Sequence, residues 1–169
     1  MYQMVFELID MRSFSNLWYW IVLAVVWSSA SHWVLGVPYD MVIRARRHGG
    51  DAEADLRDMV RINVNRLQFM VRRSGLWMLG LSCFFLTSLG IIGFVYAVEF
   101  AQAVFLIALP LNGVLALSIR TARRIRAADG VGMYNMLVRH RVATQIVGMV
   151  SIFVTAFWGM LQNMALGAF

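Results

Sequence analysis

Four stretches without a charged residue divide the chain and constrain its fold more than any other feature. They cover residues 13–39, 74–98, 100–119 and 142–169, with lengths of 27, 25, 20 and 28 residues. An α-helix needs about 20 apolar residues to cross the hydrocarbon core of a bilayer. A soluble four-helix bundle would keep a polar stripe on each helix, but apolar side chains surround the second stretch. We therefore predict an all-α membrane protein with four transmembrane helices.

The boundaries of the spans follow from the charges that flank them. We predict one membrane domain with spans at about residues 14–38, 75–97, 101–119 and 142–166. Glu99 alone separates the second and third stretches. Because a carboxylate inside the bilayer is costly, we place a turn at residues 96–102, with Glu99 at the water interface. Pro38 ends the first predicted span.

Composition excludes several other classes of protein. The chain is 60% hydrophobic and only 14% charged, so it is neither disordered nor an ordinary soluble enzyme. Cys83 is the only cysteine, which excludes a disulfide framework. Residues 1–12 carry Glu7 and Asp10 against Arg12, so we expect no cleavable signal peptide. Residues 1–11 have apolar side chains at helical spacing, which predicts a short interfacial helix.

The positive charges indicate the orientation of the protein. All 15 basic residues are arginines, and 14 of them lie in the predicted loops at residues 39–73 and 120–141. The positive-inside rule makes these loops cytoplasmic, with both termini outside, in a bacterial inner membrane. The charge is therefore a topology signal, and we expect no nucleic-acid partner. Anionic phospholipids or a partner protein are expected to contact Arg44, Arg46, Arg47, Arg120, Arg123, Arg124 and Arg126.

The first cytoplasmic loop contains the pattern of an amphipathic helix at residues 51–72. Asp51 is the predicted N-cap, and acidic residues precede basic ones, as the helix dipole favours. Helical ion-pair spacings join Glu53 to Arg57 and Asp58 to Arg61. The predicted apolar face consists of Leu56, Val60, Leu67 and Met70. Such a helix either docks on a partner or on lipid headgroups, or packs against the other loop.

A small and partly polar face on the first span is the clearest candidate site. Ala24, Ser28, His32 and Gly36 recur every four residues. Such faces let membrane helices approach closely, and histidine can hydrogen-bond across the contact. The alternative is that His32 is an axial ligand of haem or a chlorophyll-type pigment. His48 and His140 form no convincing pair with it, so we expect no cofactor and no metal.

Evidence for catalysis or transport is weaker. No phosphate-binding loop, zinc-protease or nucleophile-elbow motif occurs, and we predict that the protein is not an enzyme. Pro110, Asn112 and Gly113 interrupt the third span and predict a kink. Polar groups at membrane depth are needed for transport. Together with Glu99, these residues of the third span make a small carrier or channel an alternative function.

Two segments resemble a known family. The sequences SHWVLGVPYDMV at residues 31–42 and DMVRINVNR at residues 58–66 are similar to small uncharacterised bacterial inner-membrane proteins. Members of that family are sometimes labelled as a component of the Suf iron–sulfur assembly complex. The resemblance implies a bacterial membrane setting and transfers no site residues.

Taken with the absence of catalytic motifs, the compact spans and short basic loops favour one function. We expect a non-catalytic accessory, structural or assembly subunit of a larger bacterial inner-membrane complex, and energy-transducing complexes are the suggested hosts. Its expected partners are other inner-membrane subunits.

Overall fold

The computed structural model describes Phe14 and residues 16–167, and these residues are almost entirely helical. The predicted interfacial helix at residues 1–11 lies outside them. In chain order the elements are α1 (Leu17–His32), β1 (Trp33–Val34), β2 (Val37–Pro38), α2 (Tyr39–His48), α3 (Gly50–Gly90), a π-helical segment (Ile91–Val95), α4 (Glu99–Ala127) and α5 (Met133–Gly167).

Three of the described helical stretches are long and apolar enough to cross a membrane. They are Gly50–Val95, Glu99–Ala127 and Met133–Met164. A turn separates the second and third apolar stretches as predicted, but it covers only residues 96–98 and not 96–102, because the π-helical segment ends at Val95 and α4 already begins at Glu99. The described part of the chain is thus helical apart from one short hairpin, and it is compatible with a multi-pass membrane protein.

The helix within the first predicted span, α1, is shorter than we predict from the sequence. α1 ends at His32, and the chain then forms a two-stranded antiparallel hairpin that pairs Val34 with Val37. Leu35 and Gly36 occupy its turn with φ of 53° and 75°, the positive values that tight hairpin turns require. The predicted helical boundary at residue 38 is therefore wrong. The 16 residues of α1 rise about 24 Å, against about 30 Å for the hydrocarbon core, so a fourth span stays a prediction.

The predicted amphipathic helix is confirmed, and it continues directly into the second apolar stretch. α3 runs from Gly50 to Gly90 with one non-helical residue inside, Ser74 (φ −132°, ψ 15°). This residue marks the junction between the charged and apolar halves of the helix. The predicted cap at Asp51 is wrong, because the helix begins one residue earlier and its N-cap, Gly49, makes no side-chain capping bond.

Both predicted ion pairs on α3 form. Arg57 contacts Glu53 at 2.7 Å, and Arg61 contacts Asp58 at 3.0 Å. Because all four side chains are substantially exposed to solvent, these pairs contribute little to stability.

The hydrophobic core lies where the hairpin, α2 and the arginine-rich ends of α3, α4 and α5 meet; we call this part of the molecule the arginine end. Leu56 and Val60 are buried there as predicted, but Met70 is 37% exposed. The buried face continues instead through Val64 and Gln68, at a constant spacing of four residues. Other core residues are Val34, Val37, Val42, Ala45, Ala122, Ile125, Met133 and Leu137.

α1 packs on α5 through one face. Leu23 and Trp27 are its buried residues, and a Cβ at Gly148 would lie 2.8 Å from Cε3 of Trp27. Farther along α5, a Cβ at Gly159 would lie 3.2 Å from Cβ of Phe14. The absence of side chains at these two glycines lets α1 approach α5 closely, and the pairing shows that the two helices run antiparallel.

Candidate functional site

The small face of α1 points away from the packed interior. Ala24, Ser28 and His32 are exposed, whereas Leu23 and Trp27 make the contact with α5. Gly36 does not continue this face, because the helix ends at His32 and Gly36 lies in the hairpin turn. That part of the prediction is wrong. The remaining three residues form an exposed small face, which we define as Ala24, Ser28 and His32.

His32 lies at the end of this face beside Trp33, with the two ring centroids 5.9 Å apart. His48 instead places Nδ1 3.2 Å from the Arg44 carbonyl oxygen on its own helix. Over residues 14 and 16–167, no three His, Cys, Asp or Glu side chains come together as metal ligands. An axial-ligand role for His32 stays a prediction.

His140 is buried, although it lies between two arginines in the sequence. Its Nε2 is 3.4 Å from Ser118 Oγ, and its Nδ1 is 3.3 Å from Thr121 Oγ1. Both hydroxyls can also donate to carbonyl oxygens of α4, those of Val114 and Leu117. A neutral imidazole donates from one nitrogen and accepts at the other, so one hydroxyl turns its proton to the ring. This contact fixes α5 against α4 at the arginine end.

Arg141 makes a second contact that its sequence position does not reveal. Its guanidinium carbon lies 3.7 Å from the ring centroid of Tyr39, the first residue of α2. An arginine over an aromatic face is attracted by the ring quadrupole. Arg141 is therefore a packing residue that joins α5 to α2.

The seven arginines predicted to meet lipid or a partner are all exposed at the arginine end. No ion pair in the described part of the chain involves them. Arg126 differs from the others because its Nη1 donates to Gln68 Oε1 at 2.6 Å. Gln68 is buried and donates in turn to the Ala122 carbonyl oxygen at 3.1 Å. Arg126 therefore helps to join α4 to α3, and this hydrogen bond fixes the position of its side chain.

The residues considered for transport make structural contacts. Glu99 is half-buried at the end opposite the arginines, where its Oε1 accepts a hydrogen bond from the Phe14 amide at 2.7 Å. Asn112 donates to the Ala108 carbonyl oxygen, one turn earlier in α4. Pro110 lies inside α4 and, lacking an N–H group, leaves the Leu106 carbonyl without its helical donor. Ser151 of α5 supplies a hydroxyl to that carbonyl at 3.4 Å.

A buried cluster near the turn between α3 and α4 was not anticipated from the sequence. The Gln102 side chain donates to the Gly93 carbonyl oxygen at 2.8 Å. Its Oε1 accepts from Trp158 Nε1 and Gln162 Nε2, each at 2.9 Å. A glutamine at the start of an uncharged stretch was the available signal, but its two partners on α5 lie more than 50 residues away in the sequence.

No protein-family model, curated protein or solved structure matches the chain. The resemblance at residues 31–42 and 58–66 therefore stays a prediction.

Proposed function

We propose that the protein is a non-catalytic accessory or assembly subunit of a larger bacterial inner-membrane complex. The observation that carries this proposal is the exposed small face of α1. Its helix is strongly apolar, and most of its exposed side chains are large, yet one exposed strip beside the packed residues presents Ala24, Ser28 and His32. Lipid tails offer no hydrogen-bond partners to serine or histidine, whereas a neighbouring helix does. A partner helix is therefore the best match to this surface.

The orientation that the positive-inside rule predicts agrees with this proposal. With the arginine end in the cytoplasm and both termini outside, the exposed arginines of α2 and α4 lie at the inner membrane surface. There they contact anionic phospholipids or the cytoplasmic part of a partner subunit. The energy-transducing complexes are the proposed hosts.

Purification from native membranes in mild detergent, followed by mass spectrometry, tests the proposal. We expect a defined set of inner-membrane subunits to accompany the wild-type chain. The double variant Ala24→Leu/Ser28→Leu adds bulk to the exposed small face and should lose these partners. The matched control Val22→Leu/Ser29→Leu adds leucines to another exposed side of α1 and should retain them. Recovery of the wild-type chain only as a monomer or homo-oligomer would contradict the proposal.

A small carrier or channel is the second candidate. The observation in its favour is that Thr144, Ser151 and Thr155 are buried along one side of α5, since polar groups at membrane depth often line a path. Ion or solute flux in proteoliposomes that disappears in Thr155→Val, with the fold intact, would favour this function over the first.

A further inference from the structure

α3 and α4 run antiparallel, and hydrogen bonds fasten α4 at two places, once to α3 and once to the π-helical segment that follows α3. At the arginine end, Gln68 Nε2 donates to the Ala122 carbonyl oxygen at 3.1 Å. At the other end, Gln102 Nε2 donates to the Gly93 carbonyl oxygen at 2.8 Å. About 20 residues of α4, or about 30 Å of helix, separate these contacts. The space between α3 and α4, along the stretch from one contact to the other, determines what the two helices can bind.

An apolar cleft of about 390 Å³ opens between the two helices in the half nearer the arginine end. Its walls include Val71, Gly75 and Leu79 of α3 and Leu115, Ala116 and Ile119 of α4. Gly75 has no side chain and Ala116 has only a methyl group, so both residues leave room between the helices. The cleft reaches from Arg123 to Asn112, a rise of about 16 Å along the helix. This is about the depth of one leaflet of a 30 Å hydrocarbon core.

The cleft leads to two arginines. A neighbouring cavity of about 270 Å³ shares Val71, Ile119 and Arg123 with it and adds Arg72. Both arginines are exposed, and neither forms an ion pair with any residue that the structure describes. No acidic residue lines either cavity. The combined site is therefore apolar at membrane depth and positively charged at its mouth.

We propose that this site binds one anionic phospholipid. Its phosphate lies between the guanidinium groups of Arg72 and Arg123, and one acyl chain fills the cleft beside Gly75 and Ala116. Arginine matches phosphate in charge and in hydrogen-bond geometry, and basic pockets between membrane helices suit such headgroups. This proposal does not rest on the proposed function, because a free monomer would bind the lipid equally well.

Native mass spectrometry of the purified chain in mild detergent tests the proposal. Phosphatidylglycerol and phosphatidylethanolamine with the same acyl chains are added in equal amounts. Each arginine near a membrane surface favours an anionic lipid by roughly fivefold. We therefore expect the wild-type protein to retain the anionic lipid about 25-fold more strongly. The double variant Arg72→Gln/Arg123→Gln should retain the two lipids equally.

Two further variants separate the site from general attraction. Arg73→Gln/Arg139→Gln removes the same charge from exposed arginines that line neither cavity, and it should keep the wild-type preference. Ala116→Phe fills the cleft and should lower retention of both lipids at least tenfold. Circular dichroism and gel filtration establish that each variant is folded.

Several results would overturn the proposal. These are equal retention of the two lipids by the wild-type protein, an equal loss in the control pair, or unchanged retention in folded Ala116→Phe. If Ala116→Phe releases a co-purified protein subunit and leaves lipid retention unchanged, the cleft holds a partner helix instead.

Discussion

The Gln102 side chain donates a hydrogen bond to the carbonyl oxygen of Gly93 at 2.8 Å, across the turn between α3 and α4. Gly93 lies in the π-helical segment. Because Gln102 Oε1 also accepts from Trp158 and Gln162 of α5, one side chain connects three helical segments. Gln102 is 3% exposed, so its partners have no ready access to water if the amide is removed.

Replacement of Gln102 by leucine should lower the free energy of unfolding by about 2 kcal/mol, because buried hydrogen-bonding groups lose their partner. Reversible unfolding in detergent micelles, followed by circular dichroism, measures the change. Gln145→Leu is the matched control on α5 and should change stability by less than about 0.5 kcal/mol. An equal effect of both variants would show that Gln102 has no special structural role.

Substitution by alanine should change the stability of the protein in opposite directions at Gly93 and at Gly113. A Cβ at Gly93 would lie 2.9 Å from the Gln102 backbone nitrogen, whereas a Cβ at Gly113 meets nothing within 4 Å. We expect Gly93→Ala to destabilise the protein by about 1–3 kcal/mol through overpacking. Gly113→Ala should stabilise it by about 0.5–1 kcal/mol, as in an ordinary helix interior. Melting temperatures in one detergent test both changes, and a higher melting temperature for Gly93→Ala would contradict the close approach.

Ser151 and Pro110 should be energetically coupled. The Ser151 hydroxyl donates to the Leu106 carbonyl oxygen, which lacks its helical donor because residue 110 is proline. Ser151→Ala should therefore lower the unfolding free energy by about 1 kcal/mol in the natural chain. In a Pro110→Ala background, the alanine N–H satisfies that carbonyl, and Ser151→Ala should cost much less. A double-mutant cycle measures this difference, and strictly additive changes would argue against compensation.

Charge distribution predicted much of the helical fold, because ionised groups are expelled from the apolar segments. It located the turn before Glu99, the long amphipathic helix and the pairs Glu53–Arg57 and Asp58–Arg61. It could not locate the end of α1, since the hairpin after His32 is as free of charge as the helix before it. Nor could charge reveal that His140, which lies between two arginines in the sequence, is buried by contacts with Ser118 and Thr121. Such contacts depend on how α4 and α5 are rotated against each other.

The stacking of Arg141 on Tyr39 should stabilise the contact between α2 and α5. Tyr39→Leu and Arg141→Gln should each destabilise the protein, and a double-mutant cycle should give a coupling energy of about 0.5–2 kcal/mol. Arg139 is the matched control, because it is exposed and two residues away. Arg139→Gln combined with Tyr39→Leu should be additive within about 0.5 kcal/mol. Equal coupling in both cycles would indicate a general effect of charge, since only Arg141 lies over the ring at 3.7 Å.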